Sequence, residues 1–76
     1  MKEILETLIK SLVEHKEDVI ISEKEEGKTT TYSVKVNSSD MGKTIGKQGK
    51  IAKSIRTIMK SIGGKQHKRV NIEFED

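Results

Sequence analysis

The sequence predicts an α+β domain in the order helix, strand, strand, short helix, longer helix, strand, with the helices packed on one face of a three-stranded sheet. Three observations carry that reading. Apolar residues recur at helical spacing in two segments, they alternate with polar residues in two others, and no internal repeat or long linker divides the chain. Residues 1–76 therefore make a single domain, of a size that buries only a little over ~60% of the surface its unfolded chain exposes.

Each element has its own signal. Ile4, Leu5, Leu8, Ile9, Leu12 and Val13 recur with Lys2, Glu3, Glu6, Lys10 and Glu14 between them, which predicts an amphipathic helix of about three to four turns, ended by His15. Val19-Ile20-Ile21 is a β-branched run, residues 23–28 read as a charged turn around Gly27, and Tyr32, Val34 and Val36 alternate with Ser33 and Lys35. Together these predict an antiparallel hairpin. Ser38-Ser39-Asp40 offers side-chain oxygens to cap a helix at about Met41, which Gly42 and Gly46 keep short.

A longer helix begins near Gly49, with Ile51, Ala52, Ile55, Ile58, Met59 and Ile62 on one broad side and Gly63-Gly64 as its left-handed stop. Val70, Ile72 and Phe74 alternate as the last strand. The expected core joins Tyr32, Val34, Val36, Val70, Ile72 and Phe74 on the sheet to Leu5, Leu8, Leu12, Ile55 and Ile62 on the helices.

Composition narrows the function. The chain has no cysteine, which removes disulfides, thiolate metal sites and thiol nucleophiles, and its apolar runs are too short for a signal peptide or a membrane span. A soluble, cytoplasmic protein without a cofactor is expected. The formal charge of +3 conceals a separation: residues 41–72 carry nine Lys or Arg and no Asp or Glu, while the segments on either side are acidic. Such a basic region attracts a polyanion.

Within that region stands Ile45-Gly46-Lys47-Gln48-Gly49-Lys50. Two glycines three apart let the backbone approach a ligand, and a helix that starts at the second aims its unpaired N–H groups and positive dipole end at an anion. Lys50, Lys53 and Arg56 occupy a helix start that usually prefers acids. At about 100° per residue they share roughly a third of the circumference with Lys60, away from the isoleucines. The alternative for each feature is an ordinary turn and a solvated charged face; their coincidence favours a phosphate-binding loop. His67, within Lys65-Gln66-His67-Lys68-Arg69, reads as part of a solvated turn.

Ile45-Gly46-Lys47-Gln48-Gly49 followed by Ile55 resembles the I-G-x-x-G…I signature of KH domains, and the order of elements is similar to the type II arrangement. With Asp40-Met41-Gly42-Lys43 leading into the loop, the chain resembles the small bacterial KhpA family along nearly its whole length. The resemblance implies single-stranded RNA as ligand, gripped by Gly46, Lys47, Gln48 and Gly49; Lys43, Ile45, Lys50, Lys53 and Arg56 extend the candidate contacts, with Ile45, Ile55 and Val36 beside a groove for bases. It also implies a post-transcriptional regulator or RNA chaperone that pairs with itself or with a Jag/EloR (KhpB)-type KH protein. Ile58, Met59 and Ile62, on an apolar face wide for so small a core, are the candidate interface. One departure is Ala52, where the family places a large aliphatic residue; Ile51 stands one position earlier.

Two rival readings differ in class. Gly42-Lys43-Thr44 resembles the end of a P-loop, G-x-x-x-x-G-K-[ST], but the first glycine of that motif falls on Asn37, and residues 41–72 offer no acid to hold magnesium. A nucleotide-hydrolysing enzyme is therefore not expected. A protein-interaction module, whose main role is assembly with a larger RNA-binding partner, is the other alternative.

Overall fold

A computed structural model describes residues 1–75, and Asp76, the last residue of the expected domain, lies outside them. The elements are α1 (Lys2–Lys10), β1 (Ile20–Glu26), β2 (Thr29–Lys35), α2 (Met41–Ile45), α3 (Lys50–Lys65) and β3 (Arg69–Glu75), in the predicted order α-β-β-α-α-β. The sheet has the strand order β1-β2-β3. β1 and β2 are antiparallel, with Glu26 opposite Thr29, so the hairpin turn is only Gly27-Lys28 and the charged segment expected as a turn is mostly strand. Gly27 takes φ +61°, the left-handed region that a two-residue turn demands of its first central position. β3 runs parallel to β2, with Thr29 opposite Arg69 and Tyr32 opposite Ile72. The helical segment between them supplies the crossover that a parallel pair requires.

One face of the sheet is buried. Ile21, Tyr32, Val34, Val36, Val70 and Ile72 meet Leu5 and Ile9 of α1 and Ile55 and Met59 of α3, with Val13 closing the end. Leu8, Leu12, Ile62 and Phe74 are half-buried at the margin. Tyr32 is sealed deeply enough that burial, with Glu23 beside it, pushes its hydroxyl up to about 12. Among the described residues no helix is long and apolar enough to cross a membrane.

Two helix ends also differ from expectation. α1 spans nine residues, shorter than three to four turns. Leu12 and Val13 follow it in a turn that still folds them onto the core, so their helical spacing reports burial more than helix. Gly63-Gly64 is not a stop: α3 continues to Lys65, and the left-handed residue is His67, at φ +58°. Lys68 N–H donates to Gly63 O (2.8 Å) and His67 N–H to Gly64 O (3.1 Å), the paired bonds of a Schellman close.

Gly63 has a different task. A Cβ there would lie 2.4 Å from Val70 Cγ2 and 3.1 Å from Lys68 O, so the missing side chain is what lets α3 press against β3. Gly63→Ala is expected to destabilise the domain by ~1–3 kcal/mol despite alanine's better helix propensity, because overpacking outweighs propensity. Thermal unfolding of that variant beside Gly64→Ala checks it, since a Cβ at Gly64 meets nothing within 4 Å.

Candidate nucleic-acid interface

The loop between α2 and α3 is built from backbone torsions that few residues adopt. α2 ends because Gly46 turns to φ +77°, with its N–H donating to Gly42 O (2.8 Å). Gln48 (φ +56°) and Gly49 (φ +72°) then sit in consecutive left-handed conformations, and α3 starts at Lys50. Gly49 has no side chain to cap the helix, so the first N–H groups of α3 face the loop without an internal acceptor from that position. Gly46 is needed twice over: beyond its torsion, a Cβ would lie 2.7 Å from Ile51 Cγ1. Ile51 thus fills the space under the loop, while Ala52 is buried against the core behind it.

Gln48 is the feature that sequence reasoning missed. A non-glycine residue held left-handed costs ~1–2 kcal/mol, and nothing in its identity announces the torsion. The effect is to turn the Lys47 and Gln48 side chains into solvent at the loop tip, where both are exposed. Lys50 and Lys53 follow, also exposed. The ion pairs among the described residues engage Lys10, His15, Lys24, Lys43, Lys68 and the N-terminal ammonium, and none engages Lys47, Lys50 or Lys53. These three cations and the first turn of α3 form one electropositive end.

Two predicted contacts are otherwise occupied. Lys43 Nζ donates to Glu14 Oε1 and stands 3.9 Å from Asp40 Oδ1, and the Glu14 bond, ahead of the opposing effect of burial, holds its ammonium pKa above the usual lysine value. Arg56 donates from Nε to Ile72 O (3.3 Å) and lays its guanidinium 5.2 Å from the centre of the Phe74 ring. It therefore braces α3 against β3. Of the expected groove residues, Ile45 is half-buried beside the loop, whereas Ile55 and Val36 are buried in the core.

Asp40 corrects a further expectation. It stands at the start of α2 but makes no side-chain cap there; the Asn37 side chain accepts from Ser39 N–H instead (2.9 Å). The Asp40 carboxylate, 1% exposed, turns back to the segment after α1. It accepts from Glu14 N–H (3.2 Å) and His15 N–H (3.0 Å), and His15 Nδ1 lies 3.0 Å from its Oδ2. Burial alone would raise this carboxyl; the two backbone donors and the His15 ring overcome it and hold it below the usual aspartate value. His15 in turn is raised by its bond to Asp40, against some desolvation. So His15 does not end α1, which stops at Lys10, but ties the chain after α1 to the root of α2.

The candidate interface on α3 divides. Met59 is 0% exposed and belongs to the core, which removes it as a surface contact: its position on the helix points at the sheet. Ile58 is 44% exposed, and Ile62 is half-buried next to it on the margin. Thr44 is buried with its hydroxyl donated to Met41 O (2.9 Å), inside α2. That placement gives Gly42-Lys43-Thr44 none of the geometry of a nucleotide loop. Among the described residues no three His, Asp or Glu side chains converge to hold a metal ion.

The chain that carries this helix, glycine-bounded loop and longer helix on a three-stranded sheet is similar to known sequences along nearly its whole length. The model of the KH domain of KhpA/KhpB matches residues 2–74. RNA-binding protein KhpA of Listeria monocytogenes is 44% identical over 74 residues, covering 97% of each chain. The protein of that name from Clostridium acetobutylicum is 48% identical, over 97% of this chain and 99% of its own, and that from Aquifex aeolicus is 44% identical, over 97% and 94%. No solved structure matches the chain. With the signature loop, the α-β-β-α-α-β order and these relatives in agreement, the chain belongs to the KhpA/KhpB family of KH domains.

Proposed function

We propose that this protein binds single-stranded RNA through the loop Gly46-Lys47-Gln48-Gly49, as a post-transcriptional regulator or RNA chaperone. The observation that carries the reading is the loop itself. Its left-handed backbone and close packing on Ile51 bring main-chain N–H groups, the first turn of α3 and three lysines without an ion pair among the described residues to one exposed end. Phosphate oxygens are met there by N–H donors and by Lys47, Lys50 and Lys53, without any acid in residues 41–72 to oppose them. The names of the relatives, all RNA-binding proteins, support the same reading. Tyr32 and Phe74 lie in or beside the core, so recognition by stacking on an aromatic platform has no support, and sequence-tolerant binding is expected.

A KH loop clamps about four backbone nucleotides. With about four phosphates neutralised, the logarithm of the RNA association constant should fall against the logarithm of salt with a slope near −3. A titration of labelled single-stranded RNA across salt concentrations checks this, and a flat response would turn the assignment toward a protein ligand.

A second reading, assembly with another KH-containing chain, is favoured by the exposure of Ile58 beside Ile62. Replacing Ile58 with Lys should leave the melting temperature near that of the parent and shift a dimer to monomer in sedimentation. A monomer before and after the change would count against this face.

A further inference from the structure

Four of the nine cations in residues 41–72, Lys60, Lys65, Lys68 and Arg69, lie toward the end of α3 remote from the glycine loop. A grip on about four nucleotides at the loop leaves them unexplained. Lys60, Lys68, Arg69, Val70 and Asn71 line a cleft of about 340 Å³ where α3 meets the start of β3. Three of the five lining residues are basic, and none is acidic. Glu25 reaches Lys68 Nζ at 3.4 Å, an exposed bond that an incoming anion can displace at little cost.

The floor of the cleft is fixed. Arg69 N–H donates to Lys28 O (2.8 Å), and Val70 is buried against Gly63. Lys60, Lys68 and Arg69 bring cationic side chains to the rim of this cleft, and such a rim suits a phosphate group, the guanidinium through its forked donors and the lysines as point charges. Position along the helix matters too. Lys50, Lys53 and Lys60 share one sector of α3, and the distance from Lys50 to Lys60 is about 15 Å along the axis. The cleft therefore lies at the far end of a cationic path that begins at the loop.

We propose that this cleft is a second phosphate site for the RNA strand held at the loop, so that the domain engages a strand longer than the loop alone can clamp. The proposal rests on the RNA-binding reading above. It is tested with single-stranded oligonucleotides of increasing length, from about four to about twelve nucleotides, titrated over a range of salt. Longer strands also gain affinity from their greater number of registers, but register does not alter the salt slope, so the slope is the deciding readout.

The expected result is a slope steeper by roughly one for the long strands than for the shortest, about 0.7 for each added phosphate contact. In the double variant Lys68→Gln/Arg69→Gln the long-strand slope should return to the short-strand value, while affinity for the shortest strand stays within about twofold. Equal slopes at every length in the unaltered protein would overturn the second site while leaving the loop assignment standing. Equal loss at every length in the double variant would also overturn it, and no binding at any length would overturn both readings. The length series on the unaltered protein keeps the test valid even if the double variant fails to fold.

Discussion

Replacing Lys47 and Gln48 together with Asp is expected to lower the affinity for single-stranded RNA by at least about 100-fold while the melting temperature stays nearly unchanged. Charge-assisted contacts to phosphate are worth ~1.5–3 kcal/mol each, and substituting an acid for the lysine adds repulsion to the loss, so ~3 kcal/mol is a modest total. The fold should not suffer. Both side chains are exposed, and aspartate tolerates the left-handed torsion at position 48 at least as well as glutamine does. A failed loop would therefore not explain the lost binding. Unchanged affinity together with an unchanged circular dichroism spectrum would sink the assignment of this loop as the RNA contact.

The second large effect concerns stability and centres on Asp40. Asp40→Ala leaves the N–H groups of Glu14 and His15 without their acceptor in a part-buried setting and removes the partner of His15, and a fall in melting temperature of roughly 10 °C is expected. Its pH signature separates it from a general loss of packing. Asp40 is held below its ordinary 3.8, so its contribution is present above the unfolded value and is lost as pH falls through the lowered folded value. His15 is raised above its ordinary 6.5, so its contribution is full below about 6.5 and is lost as pH rises through the raised value.

The pair thus stabilises most between about pH 4 and 6.5, and part of that gain declines on the alkaline side as the imidazolium discharges. The negative charges of Glu17 and Asp18 add to the same upward shift of His15. His15→Gln should flatten the alkaline limb and leave the acid limb in place, because Asp40 keeps its two backbone donors. Melting temperatures of the parent, His15→Gln and Asp40→Ala from pH 3 to 9 decide the matter; an alkaline limb that persists in His15→Gln would assign the dependence elsewhere.

Much of this architecture was legible because local chemistry agreed with the final fold. The period of 3.6 in residues 51–62 and the period of 2 in residues 32–36 and 70–74 described real faces, and the glycines at 46 and 49 marked a break between two helices, where the structure gives both a positive φ. What escaped reading depended on partners distant in sequence. Asp40 beside a helix start looks like a cap, and only the tertiary fold brings the N–H groups of Glu14 and His15 to it. Gly63 resembles a terminator, yet its purpose is set by Val70 on the neighbouring strand.

Met59 and Ile58 show the same limit on one helix. Both belong to the apolar side of α3, but only the angle at which that side meets the sheet buries the first and leaves the second 44% exposed. At the site, the glycines and lysines were readable from type and spacing, whereas the torsion of Gln48 and the engagement of Lys43 and Arg56 were not, since each is decided by neighbours outside the motif.

The mixed pairing of the sheet bears on how the protein reaches its working form. The β1–β2 hairpin closes across a two-residue turn, which happens on the microsecond scale, whereas β2 and β3 pair residues about 40 positions apart. The glycine loop lies within the segment that this late event must enclose. The sheet therefore closes only when the α2–loop–α3 segment has folded back across it, which ties the final placement of the loop to the longest-range pairing in the fold.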